Sequence, residues 1–288
     1  MMRPIAKPDL DARTVFDTCT AGASPKTVRT SLQALKDTVA NAATEYDAAA
    51  TARALHTFGK FKDQPDGVPK KTGGINKQLK NTYTSRMVHK RSAGRTFYDQ
   101  LLKEAPDGRC ALCGQGIADT LDHQLPKTHY PLLAVAPANL VPACRDCNYY
   151  KGEEAPTSAE KQTLHPYYDS EVHDHTWLVA RVAGPPKPSL VFHAAPPPEM
   201  APLLAARVRH HFTTLKLARL YNPQAGPELR NLSRSLPRLP ANMIPEHLRE
   251  RAEDWAASEG VNSWQAALYR GLAGSPWYTG GGYEEPWK

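Results

Sequence analysis

Apolar residues first fall into helical register after Ser24-Pro25, where Leu32, Leu35, Val39, Ala42 and Tyr46 recur at steps of three and four. That spacing lines one face of a helix. Ser as N-cap and Pro at the first helical position mark its start, so one long amphipathic helix is expected from here to about residue 58. Residues 96–107 (TFYDQLLKEAPD) read as a short helix with Phe97, Leu101 and Leu102 inward. Two strand-like runs, 176–182 and 189–193, flank a proline-rich turn. The C-terminal third is helical: Leu204, Val208, Phe212 and Leu215 share one face, and this helix is expected to stop before Asn222-Pro223. Residues 227–236, 245–259 (with Trp255 buried) and 262–272 supply further helices. The tail from Gly274 is rich in glycine, proline and aromatic residues, and reads either as docked or as a partner-binding strip.

Charge divides this pattern unevenly. Residues 60–95 hold ten Lys and Arg against Asp63 and Asp66, a balance of +8 where the whole chain carries +7. Gly67, Pro69, Gly73 and Gly74 break its first half, and Phe61 and Tyr83 sit among the charges. Phosphate contacts dominate nucleic-acid affinity, so Lys70, Lys71, Lys77 and Lys80 are candidate phosphate ligands. The bland alternative is a solvated lysine-rich loop. No apolar run approaches the roughly 18 residues of a membrane span, and Met1 to Thr14 lacks an apolar signal-peptide core. These features disfavour membrane insertion and Sec export, and point to the cytoplasm.

Five cysteines, an odd count, do not read as a disulfide framework. Cys110/Cys113 and Cys144/Cys147 form two Cys-x-x-Cys pairs with 30 residues between them. Each pair lets a tight turn aim two sulfurs at one ion, and two such turns complete a tetrahedron around Zn²⁺. Cys19 is left over as an ordinary free thiol.

Between and after these pairs lie Asp122-His123, Asn139 and Asn148, in an outline of strand, loop, strand and helix that ends at Lys151-Gly152. A neutral imidazole accepts a proton from water near pH 7. A carboxylate and an amide oxygen offer hard ligands suited to Mg²⁺ or Mn²⁺. Lys151 is a candidate phosphate contact, and His165, in HPYYD, packs back on the module or joins the site. Adjacent strand residues face opposite ways, so bringing Asp122 and His123 to one site requires the chain to distort or turn there.

The pattern LDHQLPK-x-x-YP, then NLVPAC-x-x-CN-x-x-KG, then HPYYD resembles the HNH endonuclease family, in its four-cysteine zinc-bound branch with a ββα-metal fold. The resemblance covers residues 110–169 only. It implies His123 as general base, Asp122 and Asn148 as ligands of the catalytic metal, and Asn139 as brace of the loop that positions His123. It also implies a structural Zn²⁺ and products with 5′-phosphate and 3′-hydroxyl ends.

The expected fold is therefore α+β and mainly α, with a small zinc-bound module set between helical regions. Its divisions are an N-terminal helical region (1–58), a basic segment (59–95), the HNH module with its zinc site (96–169), and short strands followed by a C-terminal helical region (170–288). The expected function is metal-dependent hydrolysis of DNA, as the nuclease effector of a bacterial defence system; many HNH proteins sit in phage-defence or mobile-element loci. RNA presents the same phosphates and stays open as a substrate. The chain has no P-loop or dinucleotide glycine pattern, so an ATPase or sensor would be a separate subunit. The competing reading is a non-catalytic zinc-ribbon protein that binds nucleic acid. A ribbon needs only the cysteines, and leaves the Asp122, His123, Asn139 and Asn148 set to chance.

Overall fold

Asp11 opens the first helix. Its carboxylate accepts the Thr14 amide at 2.8 Å, and α1 (Ala12–Ala21) buries Val15, Phe16 and Cys19. That stripe is too short and threonine-diluted to read from periodicity. A computed structural model describes residues 1–60, 73–184 and 189–285 of the chain.

The single helix expected from residue 24 is two, α2 (Lys26–Gln33) and α3 (Lys36–Thr51). Neither Gly nor Pro lies at the break. Val28, Leu32 and Val39 enter one core cluster, whereas Ala42, Tyr46 and Ala50 enter another. The change of cluster falls within α3, between Val39 and Ala42, and the bend at Ala34-Leu35 precedes it. Inside the basic segment, Gly73 takes φ 83° and starts α4 (Gly74–Thr84), which buries Ile75, Leu79 and Tyr83. Next, α5 (Arg95–Lys103) buries Tyr98 and Leu101 and stops short of Pro106.

The module itself is small. Strand β1 (Thr120–His123) pairs antiparallel with β2 (Leu140–Ala143), placing Asp122 opposite Val141 and His123 opposite Leu140. Helix α6 (Arg145–Lys151) follows at once. Two four-residue strands are marginal alone, and this pair is held by its surroundings: Phe16, Val28, Leu79, Tyr83, Leu101, Leu121 and Leu140 form one buried cluster. The described residues of Met2–Asp169 form one compact unit.

Ser170–Lys288 form the other unit. Here β3 (Leu178–Ala183) pairs antiparallel with β4 (Ser189–Ala194). Five helices follow: α7 (Pro202–Thr214), α8 (Leu217–Ser235), α9 (Ile244–Glu259), α10 (Trp264–Ala273) and α11 (Pro276–Thr279). The helix expected to end before Asn222-Pro223 breaks earlier, at Lys216 (φ 51°), and α8 then runs through Pro223 and Pro227. An interior proline costs about 3 kcal/mol. Burial of Leu217, Tyr221, Ala225, Leu229 and Leu232 along one face offsets it. Trp255, expected inside, is half-buried with Arg251 over its ring. The aromatic tail is docked: Tyr278 and Tyr283 are buried, and the Trp277 ring covers Gly184 and Gly282 so closely that neither has room for a Cβ. The fold is α+β and mainly helical, with two two-stranded sheets among the described residues. No helix among the described residues is long and apolar enough to cross a membrane.

Candidate functional site

The four cysteines converge. Their sulfurs lie within 4.8 Å of one another, all buried, with Cys113 and Cys144 3.9 Å apart and no disulfide among them. Four sulfurs at about 2.3 Å from a tetrahedral zinc stand about 3.8 Å apart. The first pair sits on a tight turn. Gly114 (φ 66°) returns its amide to the Cys110 carbonyl, and Gly116 donates to Cys113 Sγ at 3.4 Å. Any Cβ at Gly116 would strike Cys144 at 2.8 Å. The second pair spans the N-cap and first turn of α6. Hydrogen bonds from the other three thiols hold Cys113 well below an ordinary thiol, while burial and the same crowding push Cys110 and Cys147 up. The set is compatible with a structural zinc ion.

Beside this knot, the N-cap Cys144 and the α6 residues Cys147, Asn148 and Lys151 share one face at spacings of three and four. Lys151 closes that face onto the end of β1. Its Nζ lies 3.0 Å from Asp122 Oδ2 and donates to the His123 carbonyl oxygen at 2.5 Å. The Asp122 contact is a buried ion pair, and the carboxylate also faces the His123 amide. Burial raises the Asp122 carboxyl, with Lys151 and Lys127 pulling against it. Asn148, half-buried, stands one turn before Lys151.

His123 is the last residue of β1. Its ring packs edge-on against Tyr83 at 4.4 Å between centroids, and its Nε2 lies 2.9 Å from the Ala134 carbonyl oxygen. Only an N–H can serve that carbonyl, so Nε2 carries the proton and Nδ1 is the acceptor nitrogen. Burial, with Lys127 and Lys151 nearby, lowers the imidazole to about 3. The ring is therefore neutral at pH 7. The distortion expected at Asp122-His123 is absent: the ladder stays regular through both, and the bend follows at Gln124-Leu125. Lys127 and Lys151 nonetheless act on both groups, which places them within one electrostatic neighbourhood.

Asn139 ties this bend down. Fully buried, its Oδ1 accepts the Leu125 amide at 2.7 Å, and its Nδ2 donates to the carbonyls of Leu125 (3.0 Å) and Leu133 (3.2 Å). His165 is buried a layer away. Its Nε2 meets the Tyr46 hydroxyl at 2.8 Å, and its Nδ1 accepts the Tyr167 amide at 3.3 Å, so neither ring nitrogen is left for water. The phosphate lysines are scattered. Lys151, the candidate phosphate contact at the end of α6, is buried against Asp122. On α4, Lys77 is exposed and Lys80 is half-buried, and Lys70 and Lys71 lie outside the described residues. Sequence reasoning missed Tyr83 and Lys127. The Lys127 ammonium sits 5.5 Å from the centre of the same Tyr83 ring that packs on His123. One signal was available, an aromatic residue at the end of a basic helix.

This chain is similar to protein ea31 of Escherichia phage lambda. The two are 33% identical over 155 residues, which is 53% of this chain and 52% of ea31. The chain thus spans about half the length of that relative. No protein-family model and no solved structure matches it.

Proposed function

We propose that the chain is a metal-dependent HNH endonuclease that hydrolyses DNA phosphodiester bonds. The observation that carries this reading is the placement of His123 at a strand end beside Asp122, with Nε2 committed to the Ala134 carbonyl and Nδ1 therefore the acceptor nitrogen. Burial lowers the ring's basicity, which works against the base role and favours the competing reading below. Asp122, a buried carboxylate already facing a cation in Lys151, offers a hard oxygen ligand, and Asn148 on the adjoining helix offers an amide oxygen. A bound Mg²⁺ or Mn²⁺ would supply charge stabilisation at the leaving 3′ oxygen. His123 takes the proton, the Ala134 carbonyl and the Tyr83 ring hold its plane, Asn139 fixes the bend behind it, and Lys127 offers positive charge at the site. A role as the nuclease effector of a bacterial defence system is part of the proposal.

A second observation favours the competing, non-catalytic zinc-ribbon reading: Lys151 already neutralises Asp122. Plasmid nicking separates the two. With Mg²⁺ or Mn²⁺, wild-type protein should nick supercoiled DNA. His123→Ala should bind DNA as before and cut about 10²- to 10⁴-fold more slowly. DNA bound but left intact under every metal condition would sink the nuclease reading and leave the ribbon.

A further inference from the structure

Lys151 is an unusual neighbour for a metal ligand. Its side chain is 6% exposed and that of Asp122 is 3% exposed. Lysine is almost never this buried without a partner of opposite charge. Its ammonium touches one carboxylate oxygen, at 3.0 Å, and one backbone carbonyl oxygen, at 2.5 Å. Those are hard oxygen donors, the kind a divalent cation selects. We infer that Lys151 is an intramolecular stand-in for the divalent cation: ammonium and metal ion exchange at Asp122, so the lysine closes the metal-free site and leaves as the ion enters. The inference rests on the proposed role of Asp122 as a metal ligand.

Charge forces the exchange. Asp122 and Lys151 together sum to zero. A divalent ion arriving beside an unmoved ammonium would set three positive charges against one negative charge, in a place where burial excludes most of the water. Like charges a few ångströms apart repel steeply there. Geometry permits it as well. The contact to Asp122 Oδ2 is a single one, at 3.0 Å, from a flexible side chain. Lys151 is also the last residue of α6, before Gly152 (φ 65°), so its side chain can swing out without breaking a helical turn. A substrate phosphate brings negative charge to the same place. Metal loading and nucleic-acid binding then favour one another, as a coupling between two ligands.

Two measurements on the zinc-loaded full chain test this. The first follows Mn²⁺ binding by electron paramagnetic resonance in wild type, Lys151→Met and Asp122→Ala. Removing the competing charge should tighten binding about tenfold or more in Lys151→Met, and Asp122→Ala should bind little in the site. The second needs no variant, and so survives a Lys151→Met protein that fails to fold. Reductive methylation of wild-type protein, read by peptide mass spectrometry, should leave Lys151 protected without Mn²⁺ and label it at saturating Mn²⁺. If Mn²⁺ binds through Asp122 but Lys151 stays protected, or if folded Lys151→Met binds no more tightly than wild type, the exchange is overturned and the nuclease reading stands. If no Asp122-dependent Mn²⁺ binding occurs even in Lys151→Met, the metal-ligand reading itself fails and takes the exchange with it.

Discussion

Asn139→Ala offers the sharpest test of how the bend behind His123 is held. The substitution removes three hydrogen bonds from a side chain with no exposure to solvent. Their consequences are unequal. The Leu133 carbonyl keeps the Ala136 amide at 3.2 Å, so it suffers little. The Leu125 amide and the Leu125 carbonyl have no other partner among the described residues. Each buried group left alone costs about 1–3 kcal/mol, which sums to roughly 4 kcal/mol. For a unit of this size, each kcal/mol moves the melting temperature by about 2–4 °C, so the midpoint should fall by about 8–16 °C. Thermal unfolding followed by circular dichroism, with zinc held constant, reads the shift. Asn139→Asp is the control. It keeps the acceptor for the Leu125 amide but turns an oxygen toward two carbonyls, so it should be destabilised about as much. An Asn139→Ala protein that melts within about 2 °C of wild type would refute the reasoning, because the bend would then be fixed by something other than this amide.

Metal analysis should find one zinc per chain; Cys144→Ser should lose it and come out insoluble or unfolded, because thiolate coordination contributes folding energy directly. Cys19 is buried and pushed up to about 12 by desolvation, so alkylation at pH 8 should spare it in the folded protein and reach it only after unfolding; fast labelling of native Cys19 would contradict its burial. The depressed His123 pKa gives acid sensitivity: the folded ring resists protonation until about 3, the unfolded one takes a proton near 6.5, so the unfolded chain binds more protons between those values. Stability present above pH 6.5 should therefore decline toward pH 3, by up to about 1.4 kcal/mol per pH unit, and urea midpoints of His123→Gln should fall less steeply over that window than wild type. In the same vein, replacing Lys77 and Lys80 together with Lys70 and Lys71 by Gln should flatten the dependence of DNA affinity on salt by about 0.9 in log–log slope for each phosphate these lysines neutralise; an unchanged slope would leave them as a solvated surface.

What the sequence disclosed, and what it hid, follows from how far each feature reaches along the chain. The zinc knot was legible because the geometry of each Cys-x-x-Cys turn is local, and only the meeting of the two turns is not. The paired strands 178–183 and 189–194 were legible for a similar reason, since the two apolar runs are neighbours along the chain. Helix breaks were not. Nothing in the residues at Ala34-Leu35 marks the bend, for neither Gly nor Pro lies there. Prolines misled in the opposite sense, for Pro223 would end an isolated helix, yet the buried face of α8 carries on past it. The site divides along the same line. Asp122, His123, Asn139 and Asn148 stand out by their residue types and order. The meaning of Lys151 does not, because a lysine at a helix end reads as solvated until β1 is laid beside it and its ammonium lands on a carboxylate. Tyr83 was hidden equally, since its part depends on α4 packing under a strand that begins 37 residues later. The chemistry of this site is thus written locally, whereas its electrostatics, a neutral histidine and a cation already in place, come from partners 28 to 40 residues apart. If the site takes a metal as proposed, electrostatics of that origin would decide when it loads, and the step most open to control would be the one least visible in the sequence.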